Sequence, residues 1–255
     1  MADNKQVPAG IHVRYCGAIA VLQWNEGENR LNVDSIARLN RALDSIEKNE
    51  AAKAVVITGT GKYFSCGLDL TWLVKQSNAT IESFVASFDS LIFRLLVFPL
   101  PVVAAINGHA FAGGAFIAMA CDFRLMRSQR GWICFPEIDL KMTIHPPLGE
   151  VVRLKVGNNL VFRDLVIFGA RLTGEEAKAK GVADDCVDVA NLMEASLSFT
   201  RRLVGNNGFD RATLHKMKLN VYGSVVTNSK SRMEYRAEEG VSPREIFQRA
   251  MSSKL

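Results

Sequence analysis

Two kinds of apolar pattern alternate along most of the chain. From Val33 to Lys48, the positions Val33, Ile36, Leu39, Leu43 and Ile46 recur at spacings of three and four, which predicts an amphipathic helix. A second long helix is predicted from Ile81 to Val97, stopped ahead of Pro99. Before, between and after them lie short, mainly apolar runs with β-branched residues. Gly17 to Trp24, Ala54 to Thr58 and Val102 to Ile106 read as buried strands, and the segment before Gly17 as a short flexible start. Phe123 to Met126, Trp132 to Phe135 and Val182 to Val187 read as further strands, and Pro146-Pro147 opens a helix through Arg153. Thr173-Gly174-Glu175-Glu176 and Ser242-Pro243-Arg244-Glu245 are capping boxes, each announcing a helix. Beyond Ala190 only helical patterns remain. The fold class is therefore α/β with a helical C-terminal region, divided at 1–189 and 190–255 without a linker between independent domains.

Composition narrows the function classes. The 255 residues are 48% hydrophobic and 22% charged, enough for a sizeable core, and the net charge of +5 is spread without a Lys/Arg block. That balance tolerates an anionic small molecule and gives no reason to expect nucleic acid. Leu95 to Cys121 lacks charged residues, yet Pro99, Pro101, Asn107 and several glycines interrupt it, so no membrane span is expected. Five cysteines without CxxC spacing read as free thiols, and no metal site is expected. Ser253-Lys254-Leu255 reads as a peroxisomal targeting tripeptide, implying a peroxisomal import receptor and the peroxisomal matrix.

Two segments share a physical design. Val55 through Gly67-Leu68-Asp69 and Val102 through Gly113-Gly114 each run from a buried strand through a glycine turn into a helix, with Asp69 placed to cap the first of these helices. The first N–H groups of a helix lack intrahelical acceptors, and glycine lets a ligand atom approach the backbone. If the two turns face one another, the N–H groups of Leu68 and Gly113 could grip one carbonyl oxygen and stabilise an enolate.

The spacing of Phe64-Ser65-Cys66-Gly67-Leu68-Asp69-Leu70, then the run from Asn107 to Leu125, then Trp132 to Leu140 resembles the enoyl-CoA hydratase/isomerase (crotonase) family, over about residues 17–187. The resemblance implies a spiral of ββα turns with C-terminal helices that mediate trimer or hexamer assembly. It implies an acyl-CoA thioester substrate, with CoA part of the substrate and no separate cofactor. Leu68 and Gly113 would form the oxyanion hole. Arg30, Leu31, Ser65, Cys66, Asp69 and Leu70 would hold the CoA.

Hydratases of that family use two glutamates. Phe116 occupies the first position and Glu137 the second, so Phe116 is read as a wall of the substrate site and Glu137 as the catalytic carboxylate. Moving a double bond from C3 to C2 needs one base that later returns the proton at C4, and a single shielded carboxylate suffices. The resemblance thus implies a Δ3,Δ2-enoyl-CoA isomerase of unsaturated fatty-acid β-oxidation. The alternatives are an enoyl-CoA hydratase or thioester hydrolase using Glu137 with His145 or a substrate-held water, and a non-catalytic acyl-CoA-binding scaffold. Glu150 is the only later glutamate near enough in sequence to consider, and it is not expected to reach. His145, eight residues past Glu137, is a possible substrate contact.

Overall fold

The computed structural model describes residues 8–228 and 241–253. It opens with an antiparallel hairpin of β1 (Gly10–Cys16) and β2 (Ile19–Asn25). Next come β3 (Arg30–Leu31), α1 (Val33–Lys48), β4 (Ala54–Thr58), β5 (Tyr63–Ser65), β6 (Gly67–Leu68), α2 (Leu70–Leu73) and α3 (Asn78–Leu96). A further turn comprises β7 (Val102–Ile106), β8 (His109–Phe111) and α4 (Gly113–Ala120), and the next β9 (Phe123–Arg127), β10 (Ile133–Cys134) and α5 (Pro146–Lys155). After α6 (Asn159–Val166), α7 (Gly174–Ala179) and β11 (Asp185–Val187) come α8 (Val189–Val204), α9 (Arg211–Asn228) and α10 (Pro243–Ser252).

The strands stack in sequence order. One sheet runs β1-β2-β4-β7-β9-β11, parallel from β2 onward, while β10-β8-β5 and β3-β6 form two smaller parallel sheets. Each turn of the chain lays one strand in the large sheet and one in a small sheet before a helix returns it. That is the expected ββα spiral.

The apolar runs are continuous because both faces of the large sheet are covered. Ala20, Leu22, Val55, Ile57, Val102 and Ala104 point into the main core with α1 and α3. The alternate positions, Val21, Val56, Val103 and Ala105, meet Leu192 and Leu197 of α8 on the other face. Each such Leu or Ile stabilises the fold by about 2 kcal/mol through the apolar area it removes from water. Helix α8 is therefore a layer of the sheet's own packing.

The segment expected to be a flexible start is strand β1. Its side chains are only part-buried, so it carries no apolar run, and backbone pairing with β2 holds it instead. Helix α9 is pinned by Lys218, whose Nζ donates to the carbonyls of Phe98 (3.0 Å) and Leu100 (3.1 Å) and to the Asp122 carboxylate (2.6 Å). Helix α10 lies on α2 and α3, burying Phe247, with Arg244 donating to the Val74 carbonyl. The Ser242–Glu245 capping box forms as expected. Of the targeting tripeptide, Ser253 follows α10, while Lys254 and Leu255 lie outside the described residues. Among the described residues no helix is long and apolar enough to cross a membrane.

Candidate active site

The two glycine turns meet. A Cβ built on Gly67 would lie 2.7 Å from the Gly113 nitrogen, and one built on Gly113 would lie 3.1 Å from the Gly67 Cα. Only glycine permits that approach, and Gly67 also adopts a positive φ of 76°. Gly113 is the first residue of α4, so its N–H has no acceptor within the helix. The residue before it, Ala112, is held at φ 48°, a strained conformation for a residue with a Cβ. Its N–H donates to the Cys134 carbonyl at 3.0 Å, and its carbonyl accepts from Phe116 N–H at 3.0 Å. Those bonds fix the angle at which α4 begins.

The segments expected to hold CoA lie side by side. Strand β3 pairs with β6, bringing Arg30 opposite Gly67 and Leu31 opposite Leu68. Asn29, fully buried at φ 51°, ties this loop down by donating to the carbonyls of Trp24 and Phe64 at 3.0 Å each. Ser65 is also fully buried. Its hydroxyl donates to the Asn29 carbonyl (2.7 Å) and accepts the Gly67 N–H (3.1 Å), so it shapes the turn from within. Leu31 is buried beneath Gly113, whereas Arg30 is part-exposed and pairs with Glu28 at 2.6 Å. Asp69 caps α2 by accepting the Trp72 N–H at 3.0 Å, and Leu70 begins that helix half-buried. Burial pushes the Cys66 thiol up to about 11, which keeps it from acting as a thiolate at neutral pH.

Glu137 lies on the segment after β10, which runs parallel to β8 with Cys134 opposite Phe111 and whose Cys134 carbonyl accepts the N–H of Ala112, the residue before α4. The ring of Phe116, only 3% exposed, lies 4.7 Å from that of Phe135, so an apolar pair stands between α4 and the Glu137 segment. Glu137 is 8% exposed, and its Oε2 is buried with no hydrogen-bond partner among the described residues. Burial pushes its carboxyl up to about 7, and a contact with its own backbone N–H pulls weakly the other way. A buried carboxyl with an unmet oxygen, tuned to neutral pH, can both take and return a proton.

The other acids and histidines separate clearly. Glu150 is 43% exposed and pairs with Arg153 at 3.3 Å, away from the interior. His145 caps the start of α5, and its Nδ1 lies 3.0 Å from the Asp89 carboxylate of α3, with both side chains buried. Sequence reasoning missed Asp89, although a lone acid among Phe84, Phe88, Leu91 and Ile92 on one face of α3 is a readable signal. His109 sits in an aromatic group with Tyr63, Phe111 and Trp132 on the β5–β8–β10 sheet.

Comparison with known proteins gives the family and the fold. The pattern of the family described as enoyl-CoA hydratase/isomerase matches residues 16–235. Among relatives, enoyl-CoA delta isomerase 3 of Arabidopsis thaliana is 34% identical over 75% of this chain and 84% of its own length. The enoyl-CoA delta isomerase 2, peroxisomal, of the same plant is 33% identical over 62% of this chain and 69% of its own. A short-chain-enoyl-CoA hydratase of Clostridium acetobutylicum is 29% identical over 74% and 73%. The solved structure of human mitochondrial delta3-delta2-enoyl-CoA isomerase shares the fold at a TM-score of 0.83, with 22% identity over 95% of this chain and 96% of that one.

Proposed function

This chain belongs to the enoyl-CoA hydratase/isomerase family, and we propose that within it the protein is a Δ3,Δ2-enoyl-CoA isomerase with Glu137 as its one acid–base group. The observation that carries this reading is the Glu137 carboxyl: buried, pushed by burial up to about 7, and with Oε2 unpartnered among the described residues. The thioester carbonyl of a 3-enoyl-CoA would accept from the N–H groups of Leu68 and Gly113. Ionised Glu137 takes the C2 proton, the electron pair spreads from C2 to the thioester oxygen, and the two donors stabilise the dienolate. Protonated Glu137 then delivers the proton to C4, leaving the double bond at C2. Nothing is added or lost.

Hydration needs a second polar group to hold a water. Phe116 stands where the resemblance sets the first hydratase glutamate, and Glu150 points to solvent, which supports isomerisation over water addition. The names of the two plant relatives point the same way. Replacing Glu137 by Gln keeps shape and removes the base. The expected result is a loss of about a thousandfold in kcat for 3-enoyl-CoA with acyl-CoA affinity nearly unchanged; unchanged turnover in Glu137→Gln would remove this residue from the role.

Delivery to the peroxisomal matrix belongs to the same proposal. It is supported by Ser253-Lys254-Leu255 and by a relative named as peroxisomal. A fluorescent fusion ending in these three residues should enter peroxisomes and stay outside when they are removed; the reverse pattern contradicts the assignment.

A further inference from the structure

The Asp89–His145 pair has no part in the proton transfer above, yet two ionisable side chains are buried to 6% and 5% exposure, 3.0 Å apart. Taking both from water is costly, so such a pair is weak evidence for stability and better evidence for a fixed geometry. Its place in the fold shows which geometry. His145 ends the loop that Glu137 begins. Within that loop Met142 N–H donates to the Glu137 carbonyl (2.9 Å) and Leu140 N–H to the Pro136 carbonyl (3.1 Å), so the loop is closed on itself. The His145 carbonyl accepts from Leu148 N–H at 2.9 Å, joining the loop to α5. On the other side, Asp89 follows Phe88, whose ring tip would lie 3.3 Å from a Cβ built on Gly113. One helix, α3, therefore touches the oxyanion turn with one residue and the end of the Glu137 loop with the next.

We propose that Asp89 and His145 are positioning residues that pin the 137–145 loop to α3, holding the Glu137 carboxyl beside the start of α4 and away from water. The proposal rests on reading Glu137 as the catalytic group, but the pinning itself can be measured without turnover. Other charges at the loop are set apart: Lys141 is exposed, and Asp139 and Arg171 pair at 3.9 Å with both side chains about half exposed.

The test compares Asp89→Leu, Asp89→Asn and His145→Gln with the unmodified protein. Each is followed by thermal melting, by kcat and KM for a 3-enoyl-CoA, and by 13C NMR titration of the Glu137 carboxyl, assigned by its absence in Glu137→Gln. Asp89→Leu should lower kcat by about a hundredfold, as expected for a shift of about 1 Å in a reacting group, with little change in KM. It should also move the Glu137 titration down by about one unit or more as water reaches the carboxyl. Asp89→Asn, which keeps an oxygen acceptor for His145, should recover most of both. A folded Asp89→Leu with unaltered Glu137 titration overturns the proposal, whatever happens to kcat. If Asp89→Leu does not fold, His145→Gln is judged by the same titration. If the unmodified protein does not isomerise 3-enoyl-CoA, the functional reading fails, while a shifted titration in the variants still upholds the pinning.

Discussion

A carboxylate is costly to bury, and on the proposed reading Glu137 carries that cost for the sake of a proton. Its folded-state value of about 7 lies above the ordinary 4.5, with burial as the cause. Activity and stability then respond to pH with opposite signs. The ionised form is the base, so kcat/KM for 3-enoyl-CoA should rise as pH increases through about 7. In the window between the two values the folded state binds a proton that the unfolded state has released. The stabilisation linked to that proton is fully present below about 4.5, is lost as pH rises, and is gone above about 7. Its size is about 3 kcal/mol at most. Glu137→Gln does not titrate, so its melting temperature should gain on that of the unmodified protein between pH 5 and pH 8. A difference that stays constant across this range contradicts the raised value.

At the scale of elements, the site is made where β6 and α4 begin, and two glycines set the distance between them. Gly67→Ala would put a methyl 2.7 Å from the Gly113 nitrogen at a backbone φ of 76°, so the turns must separate. The expected outcome is a folded but less stable protein with kcat reduced by about a hundredfold, because one donor leaves the oxyanion. Near-normal kcat in Gly67→Ala contradicts the paired-donor account. Both glycine turns were legible in the sequence because a break between a buried strand and a small-residue helix has few explanations. Helix α1 and strand β4 appear with the bounds that their periodicity predicts. Strands β3 and β6 were not legible as such, whereas β10 falls inside the predicted run from Trp132 to Phe135. Strands β3 and β6 are two residues long and exist through pairing with each other, Arg30 opposite Gly67. The inward role of Ser65 was hidden for the same reason, since its hydroxyl bonds to Asn29, thirty-six residues away. The pairing of His145 with Asp89 likewise depends on how α3 passes the end of the Glu137 loop.

The whole molecule is a spiral in which separated turns of chain come together: β3 pairs with β6, and the Gly67 turn packs against the first residue of α4. On the proposed reading, the turn that carries β10 adds Glu137. None of these pieces forms a site alone, which is why a family resemblance read from three separated motifs carried more weight than any one of them. On the proposed reading, the balance between water addition and double-bond transfer is a property of that assembled site, where the Phe116–Phe135 ring pair links α4 to the Glu137 segment and Glu150 is paired with Arg153. The most direct test is a paired assay on the purified protein, one sample holding a 3-enoyl-CoA and the other a 2-enoyl-CoA. Appearance of the conjugated 2-enoyl thioester in the first, with little loss of it in the second, is the predicted result. Rapid loss of the 2-enoyl thioester by hydration, without isomerisation of the 3-enoyl-CoA, would contradict it.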